Sequence, residues 1–344
     1  MRPLVSVIMS VHNEQEDHLL LAAESICRQT YDNMEFIIID DASDEKCRSV
    51  LRSLSDRWNI IKLFHNKENI GLTASLNKAL SEARGEYVAR MDDDDFSSPD
   101  RIEVQVNYME SHPEVDICGT GVISFGDSRM YMSPHNGLDD KAAKCLLFYS
   151  STLCHPSVMM RKSFLDTNGL KYDETVLKGQ DYDMWERCSQ YGRLAVLKDV
   201  LLYYRVHKSQ ISVKNKGEQT YNADKVRVRR LERLGLSPSE RDMKCHKALI
   251  SCDDSDLTVE EVARWIEMLL EANKSACLVD MDVFSKDLNM RFVLFCIRRR
   301  QLGSLLNSRY WIPLVSLVWN RMSIQAGLYV EKRRMPKCLV YGKD

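Results

Sequence analysis

Over the first hundred positions, apolar residues fall in short continuous runs, and between the runs they recur at helical spacing. Val5 to Val11, Met34 to Ile39, Ile60 to His65 and Tyr87 to Met91 are rich in Val and Ile and read as strands. Leu19 to Arg28, Lys46 to Arg57 and Leu72 to Glu82 carry apolar side chains every three or four residues and read as helices. Strand and helix in strict turn predict an α/β fold, a mainly parallel sheet with helices on both faces. Ligands of such sheets lie beyond the carboxyl ends of the strands. The residues that follow each strand therefore sample the site.

Those residues are polar throughout. His12-Asn13-Glu14 follows the first strand, Asp40-Asp41-Ala42-Ser43-Asp44 closes the second, Asn66 to Gly71 follows the third, and Asp92-Asp93-Asp94-Asp95 follows the fourth. Asp44 and Asp100 also suit helix N-caps, so one such loop alone would mean little. The four-aspartate loop asks for a cation. Adjacent carboxylates about 5 Å apart at an effective dielectric of about 20 repel by roughly 3 kcal/mol per pair. On an extended segment alternate residues point the same way, which turns Asp92 and Asp94 together and Asp93 aside. Hard oxygen ligands select Mg²⁺ or Mn²⁺, whose shells are completed by water and substrate phosphates. Neither GxGxxG nor GxxxxGK[ST] occurs, so phosphate handling falls to a metal.

Composition narrows the class. Of 344 residues, 44% are apolar and 28% charged, which is ordinary for a globular chain of one large or two modest domains. Lys plus Arg number 48 against 50 acids, which argues against a nucleic-acid-coating role. The eleven Cys are scattered without a CxxC pair and fit a reducing compartment. No signal-peptide run precedes Val5, and Phe292 to Ile297 and Trp311 to Trp319 fall short of the ~20 apolar residues of a spanning helix. The expectation is a cytoplasmic protein. Charge is nevertheless uneven, because residues 285–344 hold twelve bases and three acids. Arg298, Arg299, Arg300 and Lys332, Arg333, Arg334 flank Leu305, Tyr310, Trp311 and Trp319. Such a segment suits an anionic lipid surface at the inner face of a membrane, or equally a helical appendage packed on the main domain.

Val5-Ser6-Val7-Ile8-Met9-Ser10-Val11-His12-Asn13-Glu14, Ile39-Asp40-Asp41-Ala42-Ser43-Asp44, Asn69-Ile70-Gly71 and Ala83-Arg84-Gly85-Glu86-Tyr87-Val88-Ala89-Arg90-Met91-Asp92-Asp93-Asp94-Asp95 resemble, in order and spacing, the inverting family 2 glycosyltransferases of GT-A fold. The resemblance continues through His155-Pro156-Ser157, Gln180-Asp181-Tyr182-Asp183-Met184-Trp185 and Tyr204-Arg205-Val206-His207, covering residues 4–212. It implies a Rossmann-like GT-A domain over residues 1–215; residues 216–344 carry no motif of the family and are expected, from their pattern and charge, to form a helical, basic region for which membrane association stays open. By the same resemblance Val11, Asn13, Glu14 and Asp41 would hold the nucleoside, with Asn69, Asp92 and Asp93 on the same nucleotide. Asp92 and Asp94, with His207, would bind Mn²⁺ or Mg²⁺ at the diphosphate. Asp181 would be the general base, and His155 and Trp185 would shape the acceptor side. The family commonly has Glu immediately before that base, and Gln180 stands there instead.

The resemblance implies a metal-dependent enzyme that moves a hexose, by family habit from a UDP-sugar, to a saccharide or lipid-diphosphate-linked saccharide. O-antigen or capsule assembly is the process it points toward. Blander readings of single residues stay open: Asp41 as a turn residue, Asp181 as a helix cap and Trp185 as core. A sugar-nucleotide sensor without turnover, or a two-metal nuclease, would use parts of the same pattern.

Overall fold

The computed structural model describes residues 2–127, 130–133, 135–207, 216–251 and 256–300. The predicted alternation is present: β1 (Val5–Val11), α1 (Glu16–Cys27), β2 (Met34–Asp40), α2 (Glu45–Arg57), β3 (Ile61–His65), α3 (Leu72–Glu82) and β4 (Tyr87–Arg90). β2 is buried along its whole length and β1 at all but Ser10, which is why both read as unbroken apolar runs. Asp44 caps α2 by accepting from the Cys47 amide at 2.8 Å. Asp100 precedes the next helix without capping it through its side chain.

There follow β5 (Phe96–Ser97), α4 (Arg101–Ser111), β6 (Ile117–Gly126), β7 (Tyr131–Met132), α5 (Asp140–Leu146), β8 (Met159–Arg161), α6 (Lys162–Thr167), α7 (Gln180–Cys188) and β9 (Leu194–Val206). Among the described residues the strands form one sheet in the order β3-β2-β1-β4-β8-β6-β9-β5, with β7 on β6. The long ladders, β1 with β2 and β4, β2 with β3, and β6 with β9, are parallel. The short ones involving β5, β7 and β8 are antiparallel. The result is a mixed, mainly parallel α/β sheet, as the alternation predicts. Val11 lies opposite Asp40 and Ile8 opposite Arg90, so β1, β2 and β4 deliver their following loops to one edge.

Four further helices are α8 (Lys216–Arg233), α9 (Glu240–Ala248), α10 (Val259–Ala276) and α11 (Met281–Arg298). The described chain divides into two compact units, residues 2–140 with 151–222, and 141–150 with 223–300. The second unit thus takes in a segment that lies well inside the expected first domain. Its apolar content explains why: Cys145, Phe148 and Tyr149 bury with Trp265, Phe284, Leu288 and Phe295. Arg227 donates to the Tyr149 carbonyl and His246 Nε2 to the Phe148 carbonyl at 2.7 Å, which satisfies backbone in the turn just beyond α5. Among the described residues no helix is long and apolar enough to cross a membrane. The aromatic and basic stretch from Leu305 to Arg334 lies outside the described residues.

Candidate active site

The loops after β1 and β2 are tied to each other at the sheet edge. Asp41 N donates to Val11 O at 2.8 Å, Asn13 N to Ser43 Oγ at 3.2 Å and Asp44 N to Asn13 Oδ1 at 2.7 Å. Asn13 and Ala42 take left-handed φ values of 56° and 55°. For an alanine that costs on the order of 1 kcal/mol, and it persists because both neighbours of Ala42 are fixed by hydrogen bonds. Asp41 is buried, and its carboxylate accepts from Asn66 Nδ2 at 2.8 Å and from the Ile70 and Gly71 amides at 2.9 and 2.8 Å. It clamps the loop after β3, and little of its accepting capacity is left for a ligand. Asn69 caps the same turn by accepting from Gly71 N at 3.0 Å.

The acidic loop after β4 departs from strand geometry and bends. Asp92, Asp94 and Asp95 each bring a carboxylate oxygen within 4.8 Å of the others. Asp93 stays outside that group, within electrostatic reach of Glu14. Alternation along an extended chain pairs Asp92 with Asp94 alone; the bend in the loop brings Asp95 in as well. Burial raises the carboxyls of Asp92, Asp93 and Asp95, those of Asp93 and Asp95 far above the usual range, and repulsion from Asp94 adds to each. Arg90, 2% exposed at the end of β4, forms an ion pair with Asp92. A charged residue in a buried strand just ahead of an acidic loop was a signal available in the sequence.

Arg205 donates from its backbone to Asp95 Oδ1 at 2.7 Å and from Nε to Asp94 O at 2.7 Å. Asp95 Oδ2 is buried with no hydrogen-bond partner among the described residues. Three converging carboxylates, one of them with an orphaned buried oxygen, fit a hard divalent cation. His207 Nε2 stands 3.0 Å from Asp94 Oδ2, which brings the imidazole against one member of the three-carboxylate group.

Asp181 sits in the first turn of α7, after Gly179 in the N-cap position, and is not itself the cap. Its Oδ2 accepts from Ser151 Oγ at 2.9 Å, a partner thirty residues away that no sequence pattern marks. Burial raises the Asp181 carboxyl against the opposing pull of Ser151, the Tyr182 amide and Arg90. His155 Nε2 lies 2.8 Å from the Tyr172 hydroxyl, and burial holds its imidazole well below its ordinary pKa, hence neutral.

Asn13, Glu14, Asp41, Asn69, Asp92, Asp93, Asp94, His155, Asp181 and His207 all line one cleft of about 930 Å³. Two expected residues do not. The Val11 side chain is wholly buried in the sheet core, and only its carbonyl serves the loops. Trp185 is wholly buried as well, edge-on to His155 with ring centroids 5.9 Å apart, so it backs the cleft wall and presents no face to a sugar. Helical periodicity places Trp185 on the inward side of α7, one turn beyond Asp181.

Residues 6–169 match the family model described as glycosyl transferase family 2. A Bacillus subtilis protein named as the glycosyltransferase EpsE is 35% identical over 231 residues, 64% of this chain and 79% of that one. The amylovoran biosynthesis glycosyltransferase AmsE of Erwinia amylovora is 30% identical over 67% of this chain and 85% of its own. Among solved structures, S. aureus TarS 1–349 in complex with UDP-GlcNAc is similar in fold at a TM-score of 0.58 and 16% identity, covering 83% of this chain and 90% of that one.

Proposed function

The chain is a family 2 glycosyltransferase, and from that membership we propose that it transfers a hexose, with inversion, from a UDP-sugar to a growing saccharide or lipid-diphosphate-linked saccharide. The observation that carries this reading is the convergence of two different acids in one cleft. Asp92 and Asp94 line the cleft with the buried Asp95 crowded against them, and Asp181 lines the same cleft from α7. Asp92, Asp94 and Asp95 would hold Mn²⁺ or Mg²⁺, with His207 steadying Asp94. Such an ion, when bound, supplies positive charge to the diphosphate as it leaves.

The remaining work belongs to the chain itself. The loops of Asn13, Glu14 and Asn69 form the nucleoside end, held in shape by Asp41. Arg90 neutralises Asp92, and its Nε and Nη1, buried without partners among the described residues, are donors in reserve for oxygens of the bound donor. Asp181 accepts the proton of the acceptor hydroxyl while that oxygen bonds to the anomeric carbon. The bond from that carbon to the phosphate oxygen breaks, and its electron pair leaves on the nucleoside diphosphate. A single displacement of this kind inverts the anomeric centre. Burial that raises the Asp181 carboxyl brings its basicity closer to working pH.

The likeness to a protein named for amylovoran biosynthesis supports a cell-surface polysaccharide, an O-antigen or capsule repeat, as the product's destination. The basic C-terminal residues support attachment to an anionic membrane surface. The test is turnover of a panel of UDP-hexoses by the purified chain with Mn²⁺. Release of UDP is expected with Mn²⁺, lost on chelation and lost in Asp94→Ala. Equal turnover in a chelator would remove the metal from this reading.

A further inference from the structure

Ser151 enters the cleft just ahead of the single helical turn His155–Ser157. Its hydroxyl has one proton and two acceptors within reach, Asp181 Oδ2 at 2.9 Å and the Leu153 carbonyl at 3.2 Å. We propose that Ser151 is the positioning residue of Asp181, an inference that rests on the base role proposed above. While Asp181 is a carboxylate, the charge-assisted bond to Oδ2 is the stronger of the two. It ties that oxygen back and leaves Oδ1 to take the acceptor's proton. Once that proton has arrived, the carboxylic acid no longer outcompetes the carbonyl, and the Ser151 hydroxyl turns to Leu153 O. The exchange needs rotation about one C–O bond, and Ser151 keeps its own proton throughout.

Other described groups also bear on Asp181. The guanidinium of Arg90 on β4 and the amides at the start of α7 favour its charged form. Cys154 and Tyr172, within its field, are held neutral by burial, and Gln180 beside it carries no charge. Removing the Ser151 donor therefore leaves burial less opposed, and the Asp181 carboxyl rises further.

The experiment compares the full chain with Ser151→Ala, Ser151→Thr, Ser151→Cys and Asp181→Asn, reading kcat, donor KM and the pH dependence of kcat. Ser151→Ala is expected to lower kcat about tenfold, leave donor KM within twofold, and move the acid limb up by about one pH unit, the equivalent of one hydrogen bond to a charged group. Ser151→Thr restores both kcat and the limb. Should Ser151→Ala fail to fold, Ser151→Cys, a weaker donor, is expected to move the limb in the same direction by less. An unmoved limb in Ser151→Ala or Ser151→Cys, or no rescue by threonine, overturns the proposal. Asp181→Asn separates the two inferences. If it is inert while the Ser151 variants keep the parental profile, only the positioning role falls; if it turns over at the parental rate, the base role falls with it.

Discussion

A carboxylate that must be ionised to work, yet sits where burial favours its neutral form, weakens the fold that holds it. Asp181 is in that position: its raised pKa means that stability is fullest when it is protonated and is lost as pH rises through its folded value. Asp181→Asn keeps an acceptor for Ser151 and removes the charge. We expect turnover to drop by a factor of ~10² or more, while the thermal midpoint at neutral pH stays level or rises; a drop of several degrees in calorimetry would contradict this assignment of the raised pKa to burial. Asp41 is the opposite case. Its carboxylate is satisfied by three donors from the loop after β3, so Asp41→Ala takes the acceptor from the Ile70 amide and leaves the Gly71 and Asn66 amides only their second partners, Asn69 Oδ1 and Ser75 Oγ. The expected loss is about 2–3 kcal/mol, visible as a lower urea midpoint even without donor present. That both are aspartates in polar loops was plain in the sequence. That one is a clamp and the other a strained base was not, because the difference lies in partners drawn from residues 66–71 and 151.

At the scale of elements, β1 to β4 and α1 to α3 were legible because β1, β2 and β4 are buried on both faces, the edge strand β3 is short and apolar at Ile61, Leu63 and Phe64, and each helix has one apolar stripe. The pattern fades from β6 onward for a physical reason. Gly119 and Gly121 dilute its apolar run, and Gly121 is required there, since a Cβ would stand 2.8 Å from Asp199 O where the register with β9 shifts. The excursion of 141–150 into the helical unit was equally hidden, because Phe148 and Tyr149 would suit any core. Its anchor carries a testable pH dependence. His246 donates from Nε2 to Phe148 O and accepts at Nδ1 from Trp265 at 3.3 Å, and burial depresses its pKa to about 4. A depressed histidine stabilises the fold fully above its unfolded pKa near 6.5, and that stability is lost as pH falls toward about 4, up to roughly 3 kcal/mol. The melting temperature of the helical unit, followed by circular dichroism, should therefore decline steeply between pH 6.5 and 4. His246→Gln keeps a donor for Phe148 O and cannot titrate, so its decline should be flatter; superimposable slopes would exclude His246 as the source.

At the scale of the whole molecule, a near-neutral total hides an uneven distribution of charge along the chain: residues 285–344 carry a net of +9 and the rest −11. Within α11 the apolar side is already used, since Phe284, Leu288, Phe292 and Phe295 are buried in the core of the helical unit. Ile297, Arg298 and Arg300, at its end, are exposed. Contact with a membrane would then begin as electrostatics. Each Lys or Arg near an anionic surface contributes about 1 kcal/mol, so Arg298, Arg299, Arg300, Lys332, Arg333 and Arg334 together could supply roughly 6 kcal/mol at low salt. The acidic remainder is repelled by the same surface, so attraction must be local to the basic residues. Flotation with vesicles containing phosphatidylglycerol should recover the full chain at low ionic strength. Recovery should fall sharply in ~1 M salt, where the screening length shrinks to about 3 Å, and pure phosphatidylcholine should recover little at any salt. Replacing the six bases by glutamine should abolish recovery while leaving turnover of a soluble acceptor unchanged. If the substituted chain floats as well as the parent, the basic residues are solvated decoration and attachment must be sought in the apolar side chains between Leu305 and Trp319.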